Sequence, residues 1–316
     1  MQTRISSSAA ASAPAVYTAV STGRSWRAGL ETLLPKLVLA PSLVVALVFV
    51  YGFVGWTAVL SMTNSRMLPS YDFVGLLQYQ RLLENERWMV ASWNLVVFGG
   101  LFVLFCLAIG VILAILLDQR IRNEGAIRTI YLYPMALSFI VTGVAWKWIL
   151  NPGLGIQKMV RDLGWESFTF DWLVNPDMAV YTLVIAGVWQ ASGFVMALFL
   201  AGLRAVDDSL IKAAQLDGAS LPVIYWRIVL PCLRPVFFSA VMILAHIAIK
   251  SFDLVMALTG GGPGYASDLP ATFMYTHAFT RAQIGLGSAS AIMMLAGVLA
   301  ILVPYLYSEL RSRNRE

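Results

Sequence analysis

The sequence predicts an all-α membrane protein with six transmembrane helices and both termini in the cytoplasm. Three observations carry that prediction. Of 316 residues, 59% are hydrophobic and only 12% are charged, against about 25% charged in an ordinary globular domain. The apolar residues fall in six blocks, near 37–60, 92–117, 127–150, 178–203, 235–258 and 286–308. Each is about 20 residues or longer, enough to cross a bilayer as a helix. With the N-terminus cytoplasmic, fourteen Lys and Arg fall on the cytoplasmic side and six on the other, the asymmetry that sets membrane orientation. The net charge of +5 then reflects topology and leaves no nucleic-acid footprint.

Taken in order, residues 1–36 are expected to form a cytoplasmic N-terminal tail. The first 23 are Ser- and Ala-rich and lack the charged-then-apolar layout of a secretory peptide, so disorder is expected there. The first transmembrane helix follows at 37–60. Outer connections at 61–91, 151–177 and 259–285 contain helix breakers such as "NPGLG" and "GGGPG". Trp88, Trp93, Trp146, Trp148, Trp165 and Trp172 cluster near the outer span ends, as an aromatic belt does. The inner connection 118–126 is short and 204–234 is long. No soluble stretch is large enough for an ATP-binding fold. Cys106 and Cys232 are too far apart to suggest a disulfide, and two His and two Cys, scattered, make no metal-ligand cluster.

The 204–234 connection is built with more care than a passive loop needs. Asp207, Asp208 or Ser209 can cap a helix running to about Leu216, and Gly218 can end it. Ser220 followed by Pro222 can begin another helix, and Pro231 and Pro235 fix the return into the fifth span. Ala213, Ala214 and Gly218 are small and would let a partner approach the backbone. Docking to a cytoplasmic partner fits this design better than an amphipathic helix lying on the bilayer.

Polar groups inside spans are costly and mark function. Gln190 lies about 18 Å below the outer start of the fourth span at 1.5 Å per residue, and His246 lies at a similar depth in the fifth. His246, Lys250 and Asp253, spaced i, i+4, i+7, would share one helix face. Lys250 and Asp253 either pair to tie helices together or face a pathway; His246 is a packing histidine or a ligand contact. Trp189 and Phe194 could give an aromatic platform, or pack against lipid or core. "TGGGPG" lacks the Lys-Ser/Thr of a phosphate loop and falls outside, so it is expected to form a tight turn. No nucleophile–base arrangement is present.

"AAQLDGA" followed by "IVLPCLRP" resembles the cytoplasmic loop motif of binding-protein-dependent ABC importer permeases. The resemblance covers roughly 92–308 and continues in "SFDLVMALTGGGPG" and "YTHAF…IGLGSASA", which are similar to the sugar-importer branch and to its maltose-type first permease subunit. It implies the type I ABC importer permease fold over 92–308 and no enzymatic activity in this chain. It also implies a second homologous permease, two ATPase subunits that bind the ATP and Mg, and an external sugar-binding protein, in a bacterial inner membrane. Coupling to the ATPase falls to Lys212, Ala213, Ala214, Asp217, Gly218 and Ala219. Lys212 departs from the family, which has Glu there, so an acidic contact would have to come from Asp208 or Asp217. The family's sugar position implies Gln190, Phe194, Ile247 and Ser251, to which His246, Lys250 and Asp253 are added from their depth. Glucose or an α-glucoside is the expected cargo. The rival is an ion-coupled secondary transporter using Lys250 and Asp253, which would call for paired repeats and no docking loop.

Overall fold

The computed structural model describes residues 36, 38–119 and 122–313; the expected N-terminal tail therefore lies, apart from Lys36, outside the described residues. The chain divides into two units, Met1–Val54 and Gly55–Glu316. The first contributes most of helix α1 (Val38–Leu60), which carries a π-helical turn at Leu47–Gly52.

The second unit begins with the end of α1 and continues through α2 (Leu77–Leu83) and α3 (Glu86–Asp118). Asn85 starts α3 by accepting a hydrogen bond from the Trp88 amide, and 33 residues then run unbroken for about 50 Å. Next come α4 (Glu124–Leu132), a 3₁₀ turn (Tyr133–Ala136), α5 (Phe139–Ile149) and α6 (Ile156–Asp162). Helix α7 (Ala179–Leu203) is the most buried of the long apolar helices, with 72% of its most apolar window covered. The remainder is α8 (Asp208–Leu216), α9 (Leu221–Cys232), α10 (Arg234–Ile249), α11 (Asp253–Leu258), α12 (Pro270–Tyr275) with a π turn at Thr276–Thr280, and α13 (Ile284–Arg313). Among the described residues four helices are long and apolar enough to cross a membrane, and up to six crossings result if each of two bent pairs counts as one span.

Those bent pairs correct the sequence expectation. The third block, 127–150, is broken: α4 with its 3₁₀ turn meets α5 at 101°. Pro134 removes a backbone donor, Leu137 is extended (ψ 146°), and Ser138 caps α5 by accepting from the Val141 amide. The fifth block, 235–258, is also interrupted. Helix α10 stops at Ile249, and Lys250, Ser251 and Phe252 lie outside any helix before α11 starts at Asp253. A second sharp bend, 67°, falls at Leu233 between α9 and α10, where Pro235 opens the new helix.

Small residues hold this arrangement together. In lipid, helices associate by close packing rather than by hydrophobic burial, so glycine at a crossing brings backbones together. Around α7, a β-carbon on Gly193 would lie 1.8 Å from the Tyr131 carbonyl oxygen in α4, and one on Gly110 would lie 2.5 Å from Val195. Phe98 and Phe102 of α3 stack on each other and fill the seam beside Gly187. A further crossing joins the two half-spans, where a β-carbon on Gly143 of α5 would lie 2.6 Å from that of Ala257 in α11.

Candidate functional site

Both interrupted apolar blocks leave backbone groups outside the helical hydrogen-bond pattern. Within a membrane such discontinuities are tolerated where they are buried in protein or line a cavity, and in transporters they mark binding sites. At the first break the Leu137 carbonyl accepts a hydrogen bond of 2.7 Å from Gln190 Nε2 on α7. Gln190 is buried, and its Oε1 has no hydrogen-bond partner among the described residues. At the second break Ser251 is buried, and its hydroxyl donates to the Ile247 carbonyl at 2.9 Å, leaving the oxygen free to accept. Phe194 and Ile247 are partly buried against the same core cluster. Leu254 ties the two regions together: it packs toward Gly187 on α7 while its carbonyl approaches Gly143 on α5.

The proposed face of His246, Lys250 and Asp253 does not exist. The helix ends at Ile249, between the first and second of them, so Lys250 becomes a C-cap and Asp253 the first residue of α11. Lys250 and Asp253 are both exposed and form no ion pair, the three ion pairs among the described residues lying elsewhere. His246 turns the other way, into an apolar groove of about 280 Å³ with Ile249, Val298 and Ile301. Trp189, half-exposed, meets Trp146 edge-on at 5.9 Å instead of presenting a free platform.

The 204–234 connection follows its expected design closely. Asp207 caps α8, accepting from the Ser209 amide at 2.8 Å. The Ser209 hydrogen bonds, helped by the Lys212 charge, hold the Asp207 carboxyl below its usual range. The helix ends at Leu216, and Gly218 takes the left-handed conformation (φ +81°) that glycine reaches without a β-carbon penalty. Ser220 precedes α9 and Pro222 lies in its first turn. Lys212, Ala213, Asp217 and Gly218 are exposed, and Ala219 is half-buried. Ala214 is a correction: it is buried in the main core cluster, so it anchors α8 inward instead of admitting a partner. Leu216 and Trp226 are 90% and 75% exposed, giving this segment an uncovered apolar surface.

At the far end of α3 a polar cluster that the sequence reading missed fixes the 259–268 connection. Asp268, fully buried, accepts from Arg87 Nε at 2.5 Å and from the Thr272 hydroxyl. Asn94 donates to the carbonyls of Ala266 and Asp268. The glycines before it make the expected tight turn, with Gly260, Gly261 and Gly264 at positive φ. Nearby His277 is buried against Phe273. Burial, then the charges of Arg281 and Arg87, push its pKa down to about 4, so the ring is neutral at pH 7. Arg87 and Asp268 are 181 residues apart, a pairing that no local pattern signals.

Residues 107–313 match the family described as "Binding-protein-dependent transport system inner membrane component". A probable ABC transporter permease of Pyrococcus horikoshii is 37% identical, the alignment covering 88% of this chain and 96% of that one. The xylose/arabinose import permease of Haloferax volcanii is 37% identical over 82% of each chain. The trehalose/maltose permease of Thermococcus litoralis is 32% identical over 87% of this chain and 93% of its own. In fold, the chain is similar to a subunit of a bacterial ABC transporter that imports the acidic polysaccharide alginate (TM-score 0.76, 22% identity, 92% of this chain and 99% of that one). With a family match over most of its length and relatives that are transporter permeases and not enzymes, this multi-pass membrane chain belongs to the binding-protein-dependent transport system inner membrane components, the permease subunits of ABC importers.

Proposed function

We propose that the chain forms half of the translocation pathway of an ATP-driven sugar importer, with the sugar held at the two span breaks. The observation that carries this is the orphan Gln190 Oε1. A buried acceptor without a donor costs free energy unless something else supplies one, and a sugar hydroxyl is a donor of the right kind. Gln190 and Ser251 would accept from hydroxyls, while Phe194 and Ile247 would face the ring's apolar C–H groups. A neutral cargo, glucose or an α-glucoside, fits these uncharged groups, and relatives named for xylose/arabinose and trehalose/maltose import support a sugar. The ion-coupled alternative is weakened because Lys250 and Asp253 are exposed and form no ion pair among the described residues.

In this reading the complex holds a second, homologous permease, two ATPase subunits that bind ATP and Mg, and an external sugar-binding protein, in a prokaryotic plasma membrane. The exposed residues of α8 and the following turn (Lys212, Ala213, Asp217 and Gly218) would seat an ATPase subunit, with Leu216 and Trp226 alongside. ATP binding would draw these segments together and open the cavity outward; hydrolysis would reset it. No step of the chemistry falls on this chain.

Removing one hydrogen bond to a hydroxyl costs about 1 kcal/mol, roughly fivefold in half-saturation for uptake. Gln190→Ala and Ser251→Ala are each expected to show a loss of that size in transport assays with the complex assembled. Unchanged kinetics in both would remove them from the site. The orientation has its own test, because Cys232 is exposed. A membrane-impermeant maleimide added to intact cells should leave Cys232 unlabelled until the membrane is permeabilised. It should label at once a cysteine placed at Leu68, which is 77% exposed in the connection after α1. The reverse pattern would invert the topology.

A further inference from the structure

Helix α9 leans on the main core through Ile224 and Val229, both fully buried, and these apolar contacts have no directionality. One directional link reaches the end of the long helix α3. The Tyr225 hydroxyl donates to Asp118 Oδ2 at 2.6 Å and accepts from Gln119 Nε2 at 2.8 Å. Asp118 is the last residue of α3 and Gln119 its C-cap. An acid at a helix C-terminus faces the negative end of the helix dipole, which disfavours it, so the carboxylate gains chiefly from its donor. Tyr225 also opens the π-helical turn Tyr225–Val229, a distortion that recurs at functional sites. The turn lets Ile224 and Val229 face inward while Trp226 and Arg227 stay exposed.

The geometry points to Tyr225 as a positioning residue: its hydroxyl is a strut that carries displacement of the α8–α9 segment to α3, and it stays engaged through the cycle. The other end of α3 is pinned to the 259–268 connection by Arg87–Asp268 and Asn94. A push at Asp118 therefore reaches the opposite end of the bundle along one continuous 33-residue helix. The inference rests on the proposed seating of an ATPase on α8 and its flanking turn.

The test uses the full transporter in proteoliposomes and measures sugar imported per ATP hydrolysed, with ATPase co-purification and thermal melting alongside. Tyr225→Phe should keep the ATPase bound and the melting curve near that of the parent. Import per ATP should fall at least about fivefold, the low end of measured coupling between sites. Asp118→Ala should show the same loss. Asp118→Asn, whose amide oxygen can still accept from the tyrosine, should restore most of it. An unchanged import-to-ATP ratio in Tyr225→Phe would overturn the strut, as would failure of Asp118→Asn to exceed Asp118→Ala. Loss of the bound ATPase in Tyr225→Phe would overturn it too, by making Tyr225 part of the seat. If instead Gly218→Trp leaves the ATPase bound and transport intact, the seating itself fails, a result separate from any of these.

Discussion

Gly218→Trp is expected to abolish uptake while leaving the permease folded and inserted. The left-handed backbone at φ +81° penalises any β-carbon, by about 1 kcal/mol. No described residue lies within 4 Å of where that β-carbon would go, so the indole projects into open space. The fold therefore absorbs the change, and its cost falls on whatever docks against the turn. An overpacked interface loses roughly 1–3 kcal/mol or more, enough to release an ATPase subunit from a modest contact. The expected result is insertion at parental levels, ATPase lost on purification and no uptake. Full transport with the ATPase retained would mean that α8 and its turn are not the seat.

The second large effect is on folding. In Gly193→Val the β-carbon would lie 1.8 Å from the Tyr131 carbonyl oxygen and 2.6 Å from its carbon. Backbone cannot rotate aside as a side chain can, so α4 would have to move off α7 at the very place where the third span breaks. Overpacking a buried crossing costs about 3 kcal/mol or more when nothing can yield. Thermal melting in detergent should fall sharply, with poor monodisperse recovery. Gly100→Ala, which adds a β-carbon with no described residue within 4 Å, serves as the control and should melt like the parent. Equal melting of the two variants would mean that α4 and α7 do not pack as described.

The parts of this fold legible in the sequence are those governed by local rules. The apolar blocks of α3, α7 and α13 needed only length and hydropathy, and the α8 turn needed only Asp207, Gly218, Pro222 and their known preferences. The breaks were harder. Pro134 and Ser138 were both readable signals in "YPMALS", but they lie inside a block whose hydropathy reads as one span. The interruption at Lys250–Phe252 carries neither proline nor glycine; the polar run "KSFD" was its trace, and helical spacing was wrongly extended across it. That error created the His246–Lys250–Asp253 face. Ala214 was misread because a small residue serves equally to admit a partner or to pack inward, and only tertiary contacts decide. Asp268 and Arg87 required knowing that segments 181 residues apart meet, which no single sequence displays.

The most direct measurement follows a thiol at the second break. Ser251→Cys is made in a Cys232→Ser background, where the remaining Cys106 is fully buried and silent. The transporter is assembled with its external binding protein in proteoliposomes, and the rate of labelling by a small maleimide is followed during ATP turnover. If sugar passes between the two span breaks, the transported sugar should slow labelling several-fold, and a sugar that is not transported should leave the rate unchanged. Labelling at one rate with either sugar, in a preparation that still imports, would place the pathway elsewhere.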